Sequence, residues 1–149
     1  MGPIGRSRTV TVGALLALAA AIAACGPMGA PQSCGAGGTA DEGAFAKSFS
    51  SMELVNEGTG QAAPETDPQN GPIFATADRL AIRAGALAGV SVRTCVEGRT
   101  GGAQIGFDRT QTLAAGAGTM SLGAFGAGPW VVRVEVDGVL VKNLPFRTR

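Results

Sequence analysis

Histidine and tyrosine are absent from this chain, tryptophan occurs once, and aromatic residues make up 5% of its 149 positions. Without histidine there is no ordinary general base near neutral pH and no imidazole to ligate a metal. Charged residues are also sparse, at 15%, and the formal net charge is +1. A general nucleic-acid binder carries a basic excess, so this balance argues against one. Sugars and single strands are usually gripped by exposed aromatic rings. Here Trp130 alone could serve, and its place in a period-two run points to the core. What the chain does have is glycine, 24 residues of it, and a length that suits one ordinary domain.

The first 24 residues read as a segment that is removed. Arg6 and Arg8 form a short positive start, and Thr9 to Ala24 is uncharged. An apolar core from Val12 to Ala24 is too short for a comfortable membrane span, which needs about 20 residues. It suits the hydrophobic region of a secretion signal. Ser7 separates the two arginines, so the general secretion route fits better than the twin-arginine one.

Ile22-Ala23-Ala24-Cys25 then resembles the lipobox of bacterial lipoproteins, which runs aliphatic, small, small, cysteine. The resemblance covers the signal and Cys25. It implies cleavage before Cys25, a diacylglycerol thioether on that side chain and an acylated new amino terminus. Several fused acyl chains bury many methylenes at about 0.8 kcal/mol each, so the anchor would be permanent. Gly26 resembles the pattern for outer-membrane sorting in bacteria with two membranes. With one membrane, the same anchor would sit on its outer face.

Removal of residues 1–24 leaves 125 of the 149 residues. Arg6 and Arg8 go with them, so ten basic residues face 11 acids and the side-chain charge becomes −1. Membrane association is then expected through the lipid alone. Of the three cysteines, Cys34 and Cys95 remain. Disulfides persist outside the cytoplasm, and a Cys34–Cys95 bridge is the natural pairing. Closing a loop of about 60 residues contributes roughly 4 kcal/mol in the chain-entropy account. The alternative is two unpaired thiols. No basic group neighbours Cys34 in sequence to lower its pKa, which argues against a catalytic thiol.

Four stretches follow one another: signal peptide 1–24, lipidated Cys25 with a flexible tether to residue 40, an N-terminal stretch 41–72, and a core 73–149. The tether is uncharged and rich in Gly, Pro and Ala, and about 15 such residues span roughly 20 Å as a coil. Within 41–72 two readings compete. Thr39-Ala40-Asp41-Glu42 fits a capping box, with Phe45, Phe49 and Met52 at helical spacing. A strand near 51–56 fits the alternation of Met52 and Leu54 with Glu53. Residues 57–72 read as irregular loop.

From residue 73 on, period-two runs recur every 10 to 15 residues between Gly-rich turns. Leu80 and Ile82 alternate with arginines; Val90, Val92, Thr94 and Val96 with Arg93, Cys95 and Glu97; Ile105 and Phe107 with Asp108; Met120 and Leu122 with Ser121; Trp130, Val132, Val134 and Val136 with Arg133 and Glu135. This is the pattern of an all-β, small antiparallel sandwich. Asp137-Gly138 predicts a two-residue hairpin turn, with Val134 facing Val141 and Val136 facing Val139. Leu144 and Phe146 lie on the opposite parity, which predicts a bulge around Lys142–Asn143. The run from Arg79 resembles the immunoglobulin-like domains of bacterial envelope proteins. Its marks are Gly128-Pro129-Trp130, a valine strand, the Asp-Gly hairpin and a closing Leu144-Pro145-Phe146. Cys95 shares parity with Arg93 and Glu97. A bridge to Cys34 would therefore strap the N-terminal segment across the outside of a sheet.

The residues offer little chemistry. Glu65, Asp67 and Asn70 offer oxygens to a calcium ion, but a defined calcium loop has more ligands at tighter spacing. A serine nucleophile would depend on Lys47 or Lys142 as base, and neither has a motif around it. Gly101-Gly102 and Gly116-x-Gly118 lack the features of phosphate loops and read as turns. The Gly-rich stretch 111–128 either presents Leu113 and Phe125 to a partner or packs them on the domain. No catalytic residue, metal or cofactor is expected. The expected partners are the membrane, through the lipid on Cys25, and a protein; nucleic acid is not among them. The sequence therefore points to a non-enzymatic, protein-binding or structural lipoprotein of the cell envelope. It would face the periplasm or exterior, on the outer membrane where there are two. The alternative is a small-ligand or inhibitor-type lipoprotein with a pocket inside the sandwich.

Overall fold

The structure, a computed structural model, describes residues 34–35, 38–100 and 104–149. The expected signal peptide, Cys25 and most of the expected tether lie outside the described residues. The elements are α1 (Glu42–Ser48), β1 (Phe49–Asn56), β2 (Glu65–Asp67), β3 (Gly71–Phe74), β4 (Leu80–Ala86), β5 (Val90–Gly98), β6 (Ile105–Leu113), β7 (Gly116–Gly123), β8 (Gly128–Val136) and β9 (Val139–Thr148). The chain is an all-β sandwich of two sheets, with strand orders β1-β4-β7 and β2-β3-β9-β8-β5-β6. All ladders are antiparallel except the short one between β3 and β9, which is parallel. With β1, β4, β5, β6, β7, β8 and β9 taken as A, B, C, C′, E, F and G, this is the strand order of an immunoglobulin-like sandwich.

The alternating runs make the core directly. Ile82 pairs with Leu54 and Met120 across the small sheet, and Val134 pairs with Thr94 across the large one. Leu80, Ile82, Met120, Val92, Val96, Val132, Val134 and Phe146 are sealed between the sheets. Burying each such side chain stabilises the fold by about 1.5–3 kcal/mol. Phe125 closes one end of the core, its ring centroid 5.4 Å from those of both Trp130 and Phe146.

Both readings of the N-terminal stretch are realised, one after the other. Asp41 caps α1 by accepting a hydrogen bond from the Ala44 N–H at 2.8 Å, so the cap is Asp41 rather than Thr39. Phe49 leaves the helix at φ −137° and begins β1. The sandwich thus starts at Phe49, ahead of residue 73. The stretch 57–72 is not wholly irregular, because β2 and the start of β3 form a small hairpin there.

The Asp137–Gly138 turn forms as expected, with φ +51° and +77°. Val136 faces Val139, but Val134 faces Lys142 instead of Val141. The bulge falls at Val141, earlier than Lys142–Asn143. It turns Leu144 and Phe146 inward opposite Val132 and Trp130. A second irregularity, between Val96 and Glu97 on β5, separates Ile105 from Phe107: Phe107 joins the inward row while Ile105 pairs with outward Glu97. Gly116 and Gly118 lie within strand β7, not in a turn. Leu113 and Phe125 are buried at 7% and 5% exposure, so the stretch 111–128 packs them on the domain.

Candidate functional site

The most constructed surface is the outward face of the six-stranded sheet. Alternation on β5 turns Arg93, Cys95 and Glu97 to this side, while Val92, Thr94 and Val96 go to the core. Register on β8 brings Glu135 beside Arg93 and Arg133 beside Cys95. Neighbouring strands therefore meet with opposite charges.

Arg93 lies at the centre of one cluster. Its guanidinium donates to Asp108 at 2.8 and 3.0 Å and to Glu135 at 3.0 Å. The two carboxylates hold its pKa above the ordinary arginine value, with Asp108 the larger influence. Glu97 lies at the centre of the other. One carboxylate oxygen accepts from Arg133 Nε at 2.6 Å and the second accepts from the Cys34 N–H at 2.9 Å. Glu97 is 8% exposed, so its charge is desolvated and fully engaged.

Cys34 and Cys95 are bridged, with Cα atoms 5.6 Å apart, and both are buried. Cys95 occupies the polar face of its strand and is covered because the N-terminal segment crosses it. That segment is then fastened strand by strand. A Cβ on Gly35 would lie 3.7 Å from Glu135. The Gly38 carbonyl accepts from Asn143 Nδ2 at 3.2 Å, and the Asp41 N–H donates to the Leu140 carbonyl at 2.8 Å. The strap thus runs from β5 over β8 to the first part of β9, which β3 does not reach. There α1 packs, with Lys142 Nζ 4.8 Å from the Phe45 ring centroid. Chemically, this arrangement holds a chain segment against a sheet. Beside it lies a polar cleft of about 450 Å³ lined by Gln69, Glu97, Arg99, Arg133 and Asn143.

A second concavity is apolar. About 320 Å³ opens at the seam between the two sheets, lined by Met52, Leu54, Ala63, Pro72, Leu144 and Pro145 among others.

The remaining sequence candidates lie apart from these. Asp67 accepts from the Gln69 and Asn70 N–H groups and from Asn70 Nδ2, as a turn-forming aspartate does. Glu65 pairs with Arg149. Trp130 is 8% exposed, and its indole N–H donates to the Gly126 carbonyl at 2.9 Å, which places it in the core. Lys47 is exposed in the last turn of α1. Gly101-Gly102 and Cys25 lie outside the described residues. What sequence reading missed is the Glu97–Arg133–Cys34 junction. Glu97 and Arg133 carry the right parity, but only the β5–β8 register makes them partners.

Two surface carboxylates set an acid limit. The Ser121 hydroxyl and the Arg79 guanidinium hold Glu57 below its ordinary value, and Asn70 with the Gln69 N–H does the same for Asp67. A carboxyl whose folded-state pKa is depressed favours folding above its unfolded pKa, and that contribution fades as pH falls through the folded value. Stability is expected to hold from neutral pH down to the ordinary carboxylate range and to decline below it. Denaturant midpoints in a pH series check this, and Glu57→Gln together with Asp67→Asn should flatten the decline.

Compared with protein families, curated proteins and solved structures, the chain matches none.

Proposed function

We propose that the chain is a lipid-anchored protein of the bacterial cell envelope, held to the membrane by acyl chains on Cys25. It faces the periplasm or the exterior, on the outer membrane where the source has two. Its sandwich is a non-enzymatic module that engages or positions a protein partner. The observation that carries this reading is the Cys34–Cys95 bridge. A disulfide persists in extracytoplasmic compartments and is rare in the cytosol. The bridge also fastens the chain nine positions after the lipobox cysteine. Nine residues reach at most about 30 Å when extended. A lipid on Cys25 would thus keep the strapped end of the segment within about 30 Å of the bilayer. On the strapped face each of the three acids is ion-paired, Asp108 and Glu135 with Arg93 and Glu97 with Arg133.

The test is metabolic labelling with a palmitate analogue in cells expressing the wild type or Cys25→Ala. The wild type is expected in the membrane fraction with label. Cys25→Ala is expected to lose all label and to leave that fraction. Continued anchoring of Cys25→Ala would contradict the reading.

The apolar cavity favours a second reading, a lipoprotein that holds a small apolar ligand. At about 320 Å³ it lies at the lower end of ligand-pocket sizes. A small molecule released from natively extracted protein on denaturation would support it.

A further inference from the structure

The three-stranded sheet ends on an open margin. β7 pairs with β4 on one side, and no described strand pairs with it on the other. Alternate residues of such a strand turn their N–H and C=O groups outward. Natural edges are blunted by lysine, proline, bulges or covering loops. β7 reads Gly-Ala-Gly-Thr-Met-Ser-Leu-Gly and has no charge and no proline. At the other margin of this sheet the chain folds back after β1: Asn56 N–H donates to the Gln61 carbonyl at 2.8 Å, and Arg83 donates to the Gly60 carbonyl at 3.0 Å.

Above this margin the six-stranded sheet extends as β6. By register, Phe107, Arg109, Gln111 and Leu113 share the inward face of Val96, Thr94, Val92 and Val90. Leu113 lies over β7, since a Cβ on Gly118 would be 3.1 Å from its Cδ2. Further along β6 the cover runs out: Phe107 and Gln111 are only half-buried and Arg109 is exposed. Arg109 stacks 5.9 Å from the Phe107 ring centroid and meets no carboxylate among the described residues. The amide nitrogen of Gln111 is shut from water and finds no acceptor among the described residues. An inward row of one aromatic ring, one unmatched cation and one unmatched donor thus stands over an unpaired backbone.

We propose that the β7 margin receives an extended segment of a protein partner, added as a fourth strand beneath β6. An acidic side chain of the segment lies against Arg109 and an apolar one against Phe107. Main-chain pairing supplies affinity in this mode of recognition, and the flanking side chains supply selectivity. Arg109 decides the kind of occupant. A second copy joined β7 to β7 would bring no acid from that strand, whereas an acidic segment matches the unpaired guanidinium. The inference rests on the partner-binding reading and is independent of lipidation.

The probes are two eight-residue peptides that alternate valine and threonine, one with a central glutamate and its twin with lysine there. Each is titrated onto the oxidised protein in detergent, with hydrogen exchange followed across residues 116–123. The glutamate peptide is expected to slow exchange in β7 and to bind about tenfold tighter than its twin, the size of one partly desolvated charge pair. In Arg109→Glu, an exposed position where the fold gives up only the stacking on Phe107, the preference should reverse. Absence of β7 protection by either peptide, or an unchanged preference in Arg109→Glu, would overturn the proposal. A partner crosslinked in cells that still binds Arg109→Glu undiminished would leave partner binding standing and remove the β7 margin as its site.

Discussion

Replacing Cys34 and Cys95 together by alanine is expected to lower the unfolding free energy by about 4 kcal/mol. The bridge joins residues 61 positions apart, and an unfolded chain free of that link gains the corresponding loop entropy. The effect also has a local part. The Cys34 N–H is one of the donors to Glu97, and the strap keeps that carboxylate from water. Once the strap lifts, the Glu97–Arg133 pair becomes an ordinary surface ion pair, worth about 0–1 kcal/mol. The contacts from Gly38 to Asn143 and from Asp41 to Leu140 remain, so loosening should stop near residue 38. Denaturant unfolding of the oxidised wild type against the double variant reads the global loss. Hydrogen exchange should speed up throughout the core, β1 and β4 included, because global opening is easier, with a further local increase in β5 and β8. A midpoint unchanged by the double replacement would mean that the strap carries no stability.

Gly71→Ala is expected to cost about 3 kcal/mol, from two separable causes. Gly71 has φ +77°, a conformation that costs an L-residue with a side chain about 1–2 kcal/mol. An added Cβ would also lie 2.3 Å from the Pro145 carbonyl oxygen, a backbone atom that cannot swing aside. β3 would have to move off β9, breaking the Ile73–Arg147 and Phe74–Thr148 pairings and exposing Phe74, now 3% accessible. Reburial of one such ring is worth about 1.5–3 kcal/mol. The predicted pattern is a lower thermal midpoint with early loss of exchange protection in β3 and the end of β9. Gly60→Ala is the control. Its φ of +68° carries a similar backbone cost, but no atom lies within 4 Å of the added Cβ, so it should destabilise by only about 1 kcal/mol.

Features set by neighbouring residues were legible in the sequence. Asp137-Gly138 demands positive φ in a two-residue turn, and that turn forms. The parity of Val92, Thr94 and Val96 against Arg93, Cys95 and Glu97 separates inside from outside on β5. It also places the Cys34 crossing on the outer face. Features set by distant pairing were not legible. β3 is short and meets β9 more than 70 positions later, so no local alternation announces it. Phe45, Phe49 and Met52 fit a helix while Met52 and Leu54 fit a strand, and the change occurs at Ser48, where neither pattern has a stop. The bulges at Val141 and before Phe107, two of four register shifts among the described ladders, depend on how partner strands twist. One therefore appeared at a slightly different place than parity alone indicated, and the other was missed. The charged face follows the same rule. Each of Arg93, Glu97, Arg133 and Glu135 reads as outward, but their matching needs the strand order. The β7 margin was hidden because its glycines resemble turn residues until β4 is found beside them.

On the function proposed above, the sandwich is strapped by its own N-terminal segment and hung from a lipidated Cys25. Non-reducing peptide mapping by mass spectrometry, on protein extracted from its native membrane, tests it most directly. The expected result is an N-terminal peptide that begins at Cys25 and carries acyl mass, together with a linked peptide pair containing Cys34 and Cys95. An unmodified Cys25, or Cys25 joined by a disulfide to either of the other two, would contradict it.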